Sequence, residues 1–225
     1  KLTKIQKVTA NNMQRNWLNV PHVTQFDDAD ITEMDSFRKS LKAEGEMRGV
    51  RVTPVAFLVK AIATALEDNP VFNRSLVGDG ESYFQKQYCN IGMAVDTPRG
   101  LVVPVIRNAS SMGIWEIAGE VAQLAEKARE GKLKPSDMQG GCFTLSNLGA
   151  IGGNGFTPIV NAPELGILGV SKAQMKPVWN GHDFEPRLML PLALSYDHRL
   201  INGGDAGRFM TQIVKLLSDI RHLAL

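Results

Sequence analysis

The segment RLMLPLALSYDHRLINGGDAG, residues 187–207, contains the change of pattern on which the fold prediction depends. Its first half is an apolar run typical of a strand. The polar cluster SYDHR follows, and the NGG at 202–204 ends the strand before apolar residues at helical spacing begin near Asp205. The segment therefore predicts a strand, a polar turn that contains His198, and a helix.

Three further helices are predicted upstream from apolar spacing and capping residues. They extend from Asp30 or Thr32 to near Gly45, from Pro54 to just before Pro70, and from Ser111 to about Glu130. Apolar residues cover most of the circumference of the second of these helices, which is therefore expected to be deeply buried.

Six apolar or alternating runs predict strands: YCNIGMAV, LVVPVI, GCFTLS, LGILGV, MKPVW and RLMLPLALS. The segments DTPRG and NG, at 96–100 and 180–181, predict hairpins between neighbouring strands. Because the chain starts with helices, inserts hairpins and returns to a helix, we expect an α/β fold of the α+β type. Its mixed sheet should carry helices on one face, in a single domain over residues 1–225.

The composition limits the classes of partner. The 225 residues, 44% of them hydrophobic, suffice for one sizeable core. The 25 Lys and Arg nearly balance the 23 Asp and Glu, without a long block of one sign, so no nucleic acid or anionic membrane partner is predicted. Neither a membrane span nor a signal peptide is recognisable, and we expect a cytoplasmic protein.

The cysteines and histidines do not predict a metal site. Cys89 and Cys142 are far apart and outside any C-x-x-C motif, and the four histidines are scattered at positions 22, 182, 198 and 222. Structural metal sites usually require several such residues at short spacing.

From the residues alone, two polar side chains at strand ends stand out, each with a structural and a chemical interpretation. His198 lies where a rigid strand opens into a turn, although histidines at strand ends are more often structural. Ser146 ends the strand GCFTLS, where serines often cap turns. Asn202 precedes Gly203, and asparagine tolerates a left-handed backbone. Asp197 and Arg199 are expected to pair with neighbouring charges and fix the strand.

The segment SYDHRLINGGDAGRF resembles the D-H-R-x-x-x-G signature of the 2-oxo acid dehydrogenase acyltransferases, which are similar in fold to chloramphenicol acetyltransferase. Four further segments resemble family segments in family order: NVPHVTQFDDADIT, NIGMAVDTPRGLVVPVIRNA, EKAREGKLKPSDMQGGCFTLSNLG and GFTPIVNAPELGILGVSKA. The resemblance covers essentially the whole chain. The loop GFTPIVNAPE looks more like the acetyl-transferring, pyruvate type than the succinyl type.

The resemblance implies an acetyl transfer between dihydrolipoamide and coenzyme A, both as substrates, without a metal or a bound prosthetic group. By it, His198 is the general base that takes the proton from the thiol of coenzyme A, and Ser146 donates a hydrogen bond to the oxyanion. Many relatives carry aspartate where this chain has Asn202. An amide cannot act as a base, so Asn202 is expected to orient groups by hydrogen bonding.

The resemblance also implies a homotrimer in which His198 of one chain faces Ser146 of its neighbour, with trimers packing into cores of 24 or 60 chains. By the same resemblance, we expect the lipoyl domain and the subunit-binding domain that precede this region in full-length relatives to be absent from this chain, as is the docking site for the other components of the complex. Leu223 and Leu225 form either an apolar interaction site or a cover for the chain's own core.

Three alternatives remain open at this level. The acyl group could be a succinyl or branched-chain group. A serine hydrolase could use Ser146 as nucleophile and His198 as base, although TLSNL stands in place of the G-x-S-x-G elbow. The chain could also be an inactive scaffold that only assembles the core.

Overall fold

The structure, a computed structural model, describes residues 1–78 and 80–223. The helices are α1 Lys4–Asn19, α2 Thr32–Ser40, α3 Lys42–Arg48, α4 Pro54–Asp68, α5 Ile114–Glu130 and α6 Gly203–Ser218. The strands are β1 His22–Asp30, β2 Arg74–Leu76, β3 Tyr83–Gln85, β4 Ile91–Met93, β5 Val105–Ile106, β6 Phe143–Asn147, β7 Gly166–Val170, β8 Gln174–Trp179 and β9 Phe184–Asp197.

Seven of these strands form one mixed sheet in the order β1-β9-β7-β6-β4-β5, with β8 paired to β9. The neighbours β4, β6 and β7 run parallel, and the other pairs are antiparallel. The strand β9 is 14 residues long and pairs with three strands along its length. The predicted mixed sheet is therefore confirmed.

Helices α4, α5 and α6 cover one face of this sheet. Alternate residues of the central strands, such as Phe143 and Leu145 of β6 and Leu194 of β9, pack into one apolar core with α4, α5 and α6. Thr144 and Ser146 alternate with these core residues on β6 and therefore project from the opposite face, here called the outward face. Over β7, chain segment 156–160 packs on the outward face.

The buried helix α4 and both hairpins agree with the sequence analysis, whereas several boundaries differ. The first predicted helix is two consecutive helices, α2 and α3, and it ends at Gly49 instead of Gly45. Gly49 has the left-handed φ of 66° that commonly ends a helix. Gly45 instead lies buried within α3, where a Cβ atom would be 2.6 Å from the carbonyl oxygen of Val50.

Two other helix starts are shifted, and four elements are absent from the predictions. The helix α5 begins at Ile114, after a 3-10 turn at Ala109–Ser111, and α6 begins two residues before Asp205. These four elements are α1, β1, β2 and β3. Among the described residues, no helix is long and apolar enough to cross a membrane.

The structure describes one of the two apolar C-terminal residues. Leu223 packs against the chain's own core. Leu225 lies outside the described residues.

Replacing Gly45 with alanine should destabilise the protein, because the added methyl group meets the backbone oxygen of Val50. Such overpacking usually costs about 1–3 kcal/mol. The matched control is Gly119→Ala on α5, where nothing lies within 4 Å of a Cβ atom. That change should stabilise the protein by up to about 1 kcal/mol, since alanine favours helix. Urea unfolding of both variants measures the difference, and equal effects would contradict the assignment.

Candidate active site

His198 follows β9 directly, in a tight turn, with its side chain exposed to solvent. Its backbone N–H donates a hydrogen bond to the carbonyl oxygen of Pro21 at 3.0 Å. Its imidazole stacks on the ring of Tyr196, with centroids 5.8 Å apart and an interplanar angle of 30°. Because Tyr196 is only 1% exposed, it offers a rigid support. The imidazole is thus held in place but open to a substrate.

The two charged residues beside His198 pair with each other. The carboxylate of Asp197 is buried and accepts hydrogen bonds from Nε and Nη2 of Arg199, at 3.0 and 2.6 Å. The backbone N–H of Arg199 also donates to this carboxylate, at 3.0 Å. The hydrogen bonds to Asp197 raise the pKa of Arg199 above its usual range. This ion pair spans the turn and fixes the backbone on both sides of His198.

Ser146 is the penultimate residue of β6 and is half-buried on the outward face. Within the described residues its hydroxyl has no hydrogen-bond partner. The turn that follows is capped instead by Asn147, whose Oδ1 accepts a hydrogen bond from the N–H of Gly149 at 2.9 Å. The turn-capping interpretation of Ser146 is therefore wrong, and its hydroxyl is available to donate a hydrogen bond.

The sheet register places His198 and Ser146 at opposite ends of the sheet. Ser146 lies beside Gly169 of β7, which lies beside Ala193 of β9. His198 lies five residues beyond Ala193, just past the end of β9, and β9 is two strands away from β6. With a rise of about 3.4 Å per residue and strands about 4.8 Å apart, the two Cα atoms of one chain are about 20 Å apart. One chain therefore does not bring the two side chains onto the same substrate atom.

Asn202 is the N-cap residue of α6. Its Oδ1 accepts a hydrogen bond from the N–H of Asp205 at 2.9 Å, and the carboxylate of Asp205 accepts the N–H of Asn202 at 3.4 Å. Its φ of −91° and ψ of 168° are extended, so the left-handed interpretation is wrong. Within the described residues its Nδ2 has no hydrogen-bond partner. Asn202 is exposed, and its amide oxygen caps α6.

One cavity carries a concentration of positive charge. It has a volume of about 640 Å³ and is bordered by Arg38, Lys39, Lys42 and Arg51, among other residues. Asp35 forms ion pairs with Arg38 and Lys39, both at 2.8 Å. Lys42 and Arg51 form no ion pair with the described residues. This border suits a ligand with phosphate groups. In the described part of the chain, no group of three or more His, Cys, Asp or Glu side chains could hold a metal ion.

Glu164, which the sequence analysis did not single out, is a buried carboxyl group beneath the outward face. Its Oε2 accepts a hydrogen bond from the hydroxyl of Thr144 at 2.5 Å, and its Oε1 lies 3.5 Å from Nδ2 of Asn161. Burial raises its pKa to about 7, although Thr144 and the nearby Lys86 favour the ionised form. No local pattern marks this residue, which stands between Pro163 and an apolar run.

Comparisons with known proteins point to one family. The sequence profile described as 2-oxoacid dehydrogenases acyltransferase (catalytic domain) matches residues 1–225. A relative from Haemophilus influenzae, the dihydrolipoyllysine-residue acetyltransferase component of the pyruvate dehydrogenase complex, is 54% identical over 226 residues. The match covers 100% of this chain and 40% of that relative. The chain thus spans about two fifths of the length of such curated relatives.

Solved structures agree with this result. The dihydrolipoamide acetyltransferase (E2p) of Azotobacter vinelandii is 55% identical, with a TM-score of 0.98 over 100% of this chain and 93% of that chain. It was studied for the role of one serine, one histidine and one asparagine in its catalytic mechanism. The cubic core of the pyruvate dehydrogenase multienzyme complex gives the same identity, TM-score and coverage. Chloramphenicol acetyltransferase, 16% identical with a TM-score of 0.58 over 92% of this chain and 94% of that chain, shares the fold.

Because folded Glu164 binds its proton more tightly than the unfolded chain does, the protein should become less stable as the pH rises. Between its ordinary pKa of 4.5 and the folded value of about 7, the folded state keeps a proton that the unfolded chain loses. The stabilisation is therefore complete below pH 4.5 and is lost by about pH 7. Across this window it amounts to about 3 kcal/mol.

Urea unfolding of wild type and Glu164→Gln between pH 4.5 and 7 tests this expectation. The variant keeps a hydrogen-bond acceptor for Thr144 but does not titrate, so its stability should fall less over the window. Glu46→Gln, at an exposed glutamate, is the matched control and should follow the wild type. Superimposable profiles for wild type and Glu164→Gln would contradict the raised pKa.

Proposed function

The chain belongs to the family of 2-oxoacid dehydrogenase acyltransferase catalytic domains, and on this basis we propose that it transfers an acetyl group between a dihydrolipoyl thioester and coenzyme A. In this proposal it is the core-forming domain of a pyruvate dehydrogenase complex. Acetyl, as opposed to a succinyl or branched-chain group, is supported by the names of the similar curated relatives.

One observation carries the assignment of the site. The serine, histidine and asparagine studied in the Azotobacter vinelandii enzyme are separated by the same numbers of positions as Ser146, His198 and Asn202. The match with that enzyme covers the full length of this chain, with a TM-score of 0.98. Asparagine is therefore not particular to this chain at the position where many relatives carry aspartate. We assign His198 the role of general base, Ser146 that of oxyanion donor and Asn202 that of orienting amide.

His198 acts in the proposal as general base and then as general acid. An imidazole and a thiol have ordinary pKa values of about 6.5 and about 8.5, which are close enough that a proton can pass between such groups in a positioned complex. The thiolate of coenzyme A attacks the thioester carbonyl and forms the new C–S bond. As the tetrahedral intermediate collapses, the C–S bond to the dihydrolipoyl group breaks, and the imidazolium returns the proton to the departing sulfur.

Ser146 stabilises the oxygen that becomes negative in the tetrahedral intermediate. Its hydroxyl has no partner among the described residues, so it can donate to the oxyanion without first breaking a hydrogen bond. A preorganised donor of this kind typically contributes about 3 kcal/mol to transition-state binding. Asn202 supports the site through its Nδ2, which can orient a neighbouring group, while Oδ1 holds the start of α6.

The separation of about 20 Å between Ser146 and His198 supports a site shared by two subunits. We propose a cyclic homotrimer in which His198 of one chain and Ser146 of the next face each other, with coenzyme A and the lipoyl group arriving from opposite ends. A larger core of 24 chains is supported by the solved cubic core. The lipoyl domain and the other components of the complex are the expected partners of the full-length protein. We place the reaction in the cytoplasm, where reduced thiols such as Cys89 and Cys142 persist.

Removing either proposed catalytic group should abolish most acetyl transfer to coenzyme A from acetyl-dihydrolipoamide. We expect His198→Ala to lower kcat by about 10²- to 10⁴-fold, the usual contribution of a general base. Ser146→Ala should lower it by about 10²- to 10³-fold. His182→Ala, at an exposed histidine in the hairpin between β8 and β9, is the control and should be unaffected.

Three outcomes of these assays would contradict the proposal. Near-normal turnover of His198→Ala would show that the imidazole is not the base. A labelled acyl group on Ser146 after a single turnover would show that the serine is a nucleophile, as in a hydrolase. Wild-type protein without any transfer activity would identify it as a scaffold.

Co-assembly of the two inactive variants tests whether the site is shared. A trimer that mixes His198→Ala and Ser146→Ala chains contains some interfaces in which both wild-type side chains meet. In a cyclic trimer with random mixing, about a quarter of the interfaces should be intact. We therefore expect activity to return to that fraction of the wild-type rate after joint refolding. If each site were built from one chain, the mixture would stay inactive.

A further inference from the structure

His22, the first residue of β1, is a half-buried histidine whose two ring nitrogens are both engaged. Nδ1 lies 2.7 Å from the carbonyl oxygen of Val20, and Nε2 accepts a hydrogen bond from the backbone N–H of Val160 at 2.8 Å. The imidazole also stacks on the indole of Trp17, with centroids 5.6 Å apart. These partners define its protonation. Only a neutral ring with its proton on Nδ1 can serve a carbonyl and an N–H at the same time.

This imidazole closes a ring of hydrogen bonds between three parts of the chain. The carbonyl oxygen of Val160 accepts a hydrogen bond from Nδ2 of Asn16 at 3.0 Å. The carbonyl oxygen of Asn16 in turn accepts the N–H of Val20 at 2.9 Å. The side chains of Asn16 and Val160 are buried, at 2% and 0% exposure. The end of α1, the segment on the outward face and the start of β1 are thus fixed to one another at His22.

Pro21 stands between Val20 and His22 in the sequence, and both of these neighbours belong to the ring of hydrogen bonds. Its carbonyl oxygen accepts the backbone N–H of His198 at 3.0 Å. The register of β1 with β9 continues this contact, because His22 lies directly opposite Asp197. The position of the turn that presents the catalytic imidazole therefore depends on the position of Pro21, and that position depends on the hydrogen bonds of His22.

We propose that His22 is a positioning residue for acyl transfer: through its hydrogen bonds to Val20 and Val160 it fixes Pro21 and thereby the backbone of His198. This inference rests on the proposed function, in which His198 is the general base. His22 itself contacts no reacting atom in the proposal. Loss of its hydrogen bonds lets the turn at His198 shift, and misplacement of a catalytic group by about 1 Å can lower a rate by about 100-fold.

The test uses three variants of His22 in the assembled protein, with rates expressed per folded chain after size-exclusion chromatography. His22→Ala removes both hydrogen bonds and should lower kcat by about 10- to 100-fold, while KM for coenzyme A stays unchanged. His22→Gln keeps an acceptor near the position of Nε2, and His22→Asn keeps a donor near that of Nδ1. Each should restore part of the loss. The control is His182→Ala, which should retain the wild-type kcat.

A further measurement separates positioning from a general loss of stability. Hydrogen exchange of the His198 amide should accelerate in His22→Ala, because its acceptor on Pro21 is released, while amides of α4 keep their protection.

The outcomes distinguish this inference from the proposed function. An inactive wild type would refute the proposed function. Activity that depends on His198 but is unchanged in folded, assembled His22→Ala would overturn the inference alone. A lower kcat in His22→Ala with unchanged exchange at the His198 amide would also overturn it, since the turn would not have moved.

Discussion

The arrangement of the molecule depends on the pairing of β9 with three other strands. Its first half pairs with β8, its second half pairs with β7, and β1 runs along its other edge. A strand hydrogen-bonded on both edges cannot slip without losing these ladders and turning its apolar side chains out of the core. The turn that begins at His198 is therefore attached to the least adjustable part of the sheet. The same ladders fix the distance from this turn to Ser146.

The sequence predicts the elements of the helix-covered side of the fold better than those of the other side. The helix α4 and the strand β9 carry apolar patterns that predict them without any knowledge of their polar contacts. By contrast, α1 buries only Asn16, and β1 is largely polar because it lies at the edge of the sheet. Their positions follow from contacts with residues far away in sequence, such as that between His22 and Val160. Periodicity within a window cannot reveal such contacts.

The candidate site is likewise predictable from the sequence only in part. His198 and Ser146 are recognisable because polar residues end apolar strands, and the resemblance of their segments to a family gives them roles. Their placement at opposite ends of one sheet requires the order and direction of the strands, which the sequence does not specify by itself. Glu164 has no local signal at all. An acidic residue in a turn is ordinarily solvated, and only the folded chain shows that this one is enclosed with Thr144.

Placing the two halves of the chemistry at opposite ends of the sheet has a consequence for a newly made chain. Under the proposed mechanism, a folded monomer carries a base without an oxyanion donor at one end and a donor without a base at the other. Such a chain is catalytically silent until it meets its neighbours. High-energy thioesters would then be exposed to turnover only inside finished particles, so that quaternary assembly itself acts as the step that switches the enzyme on.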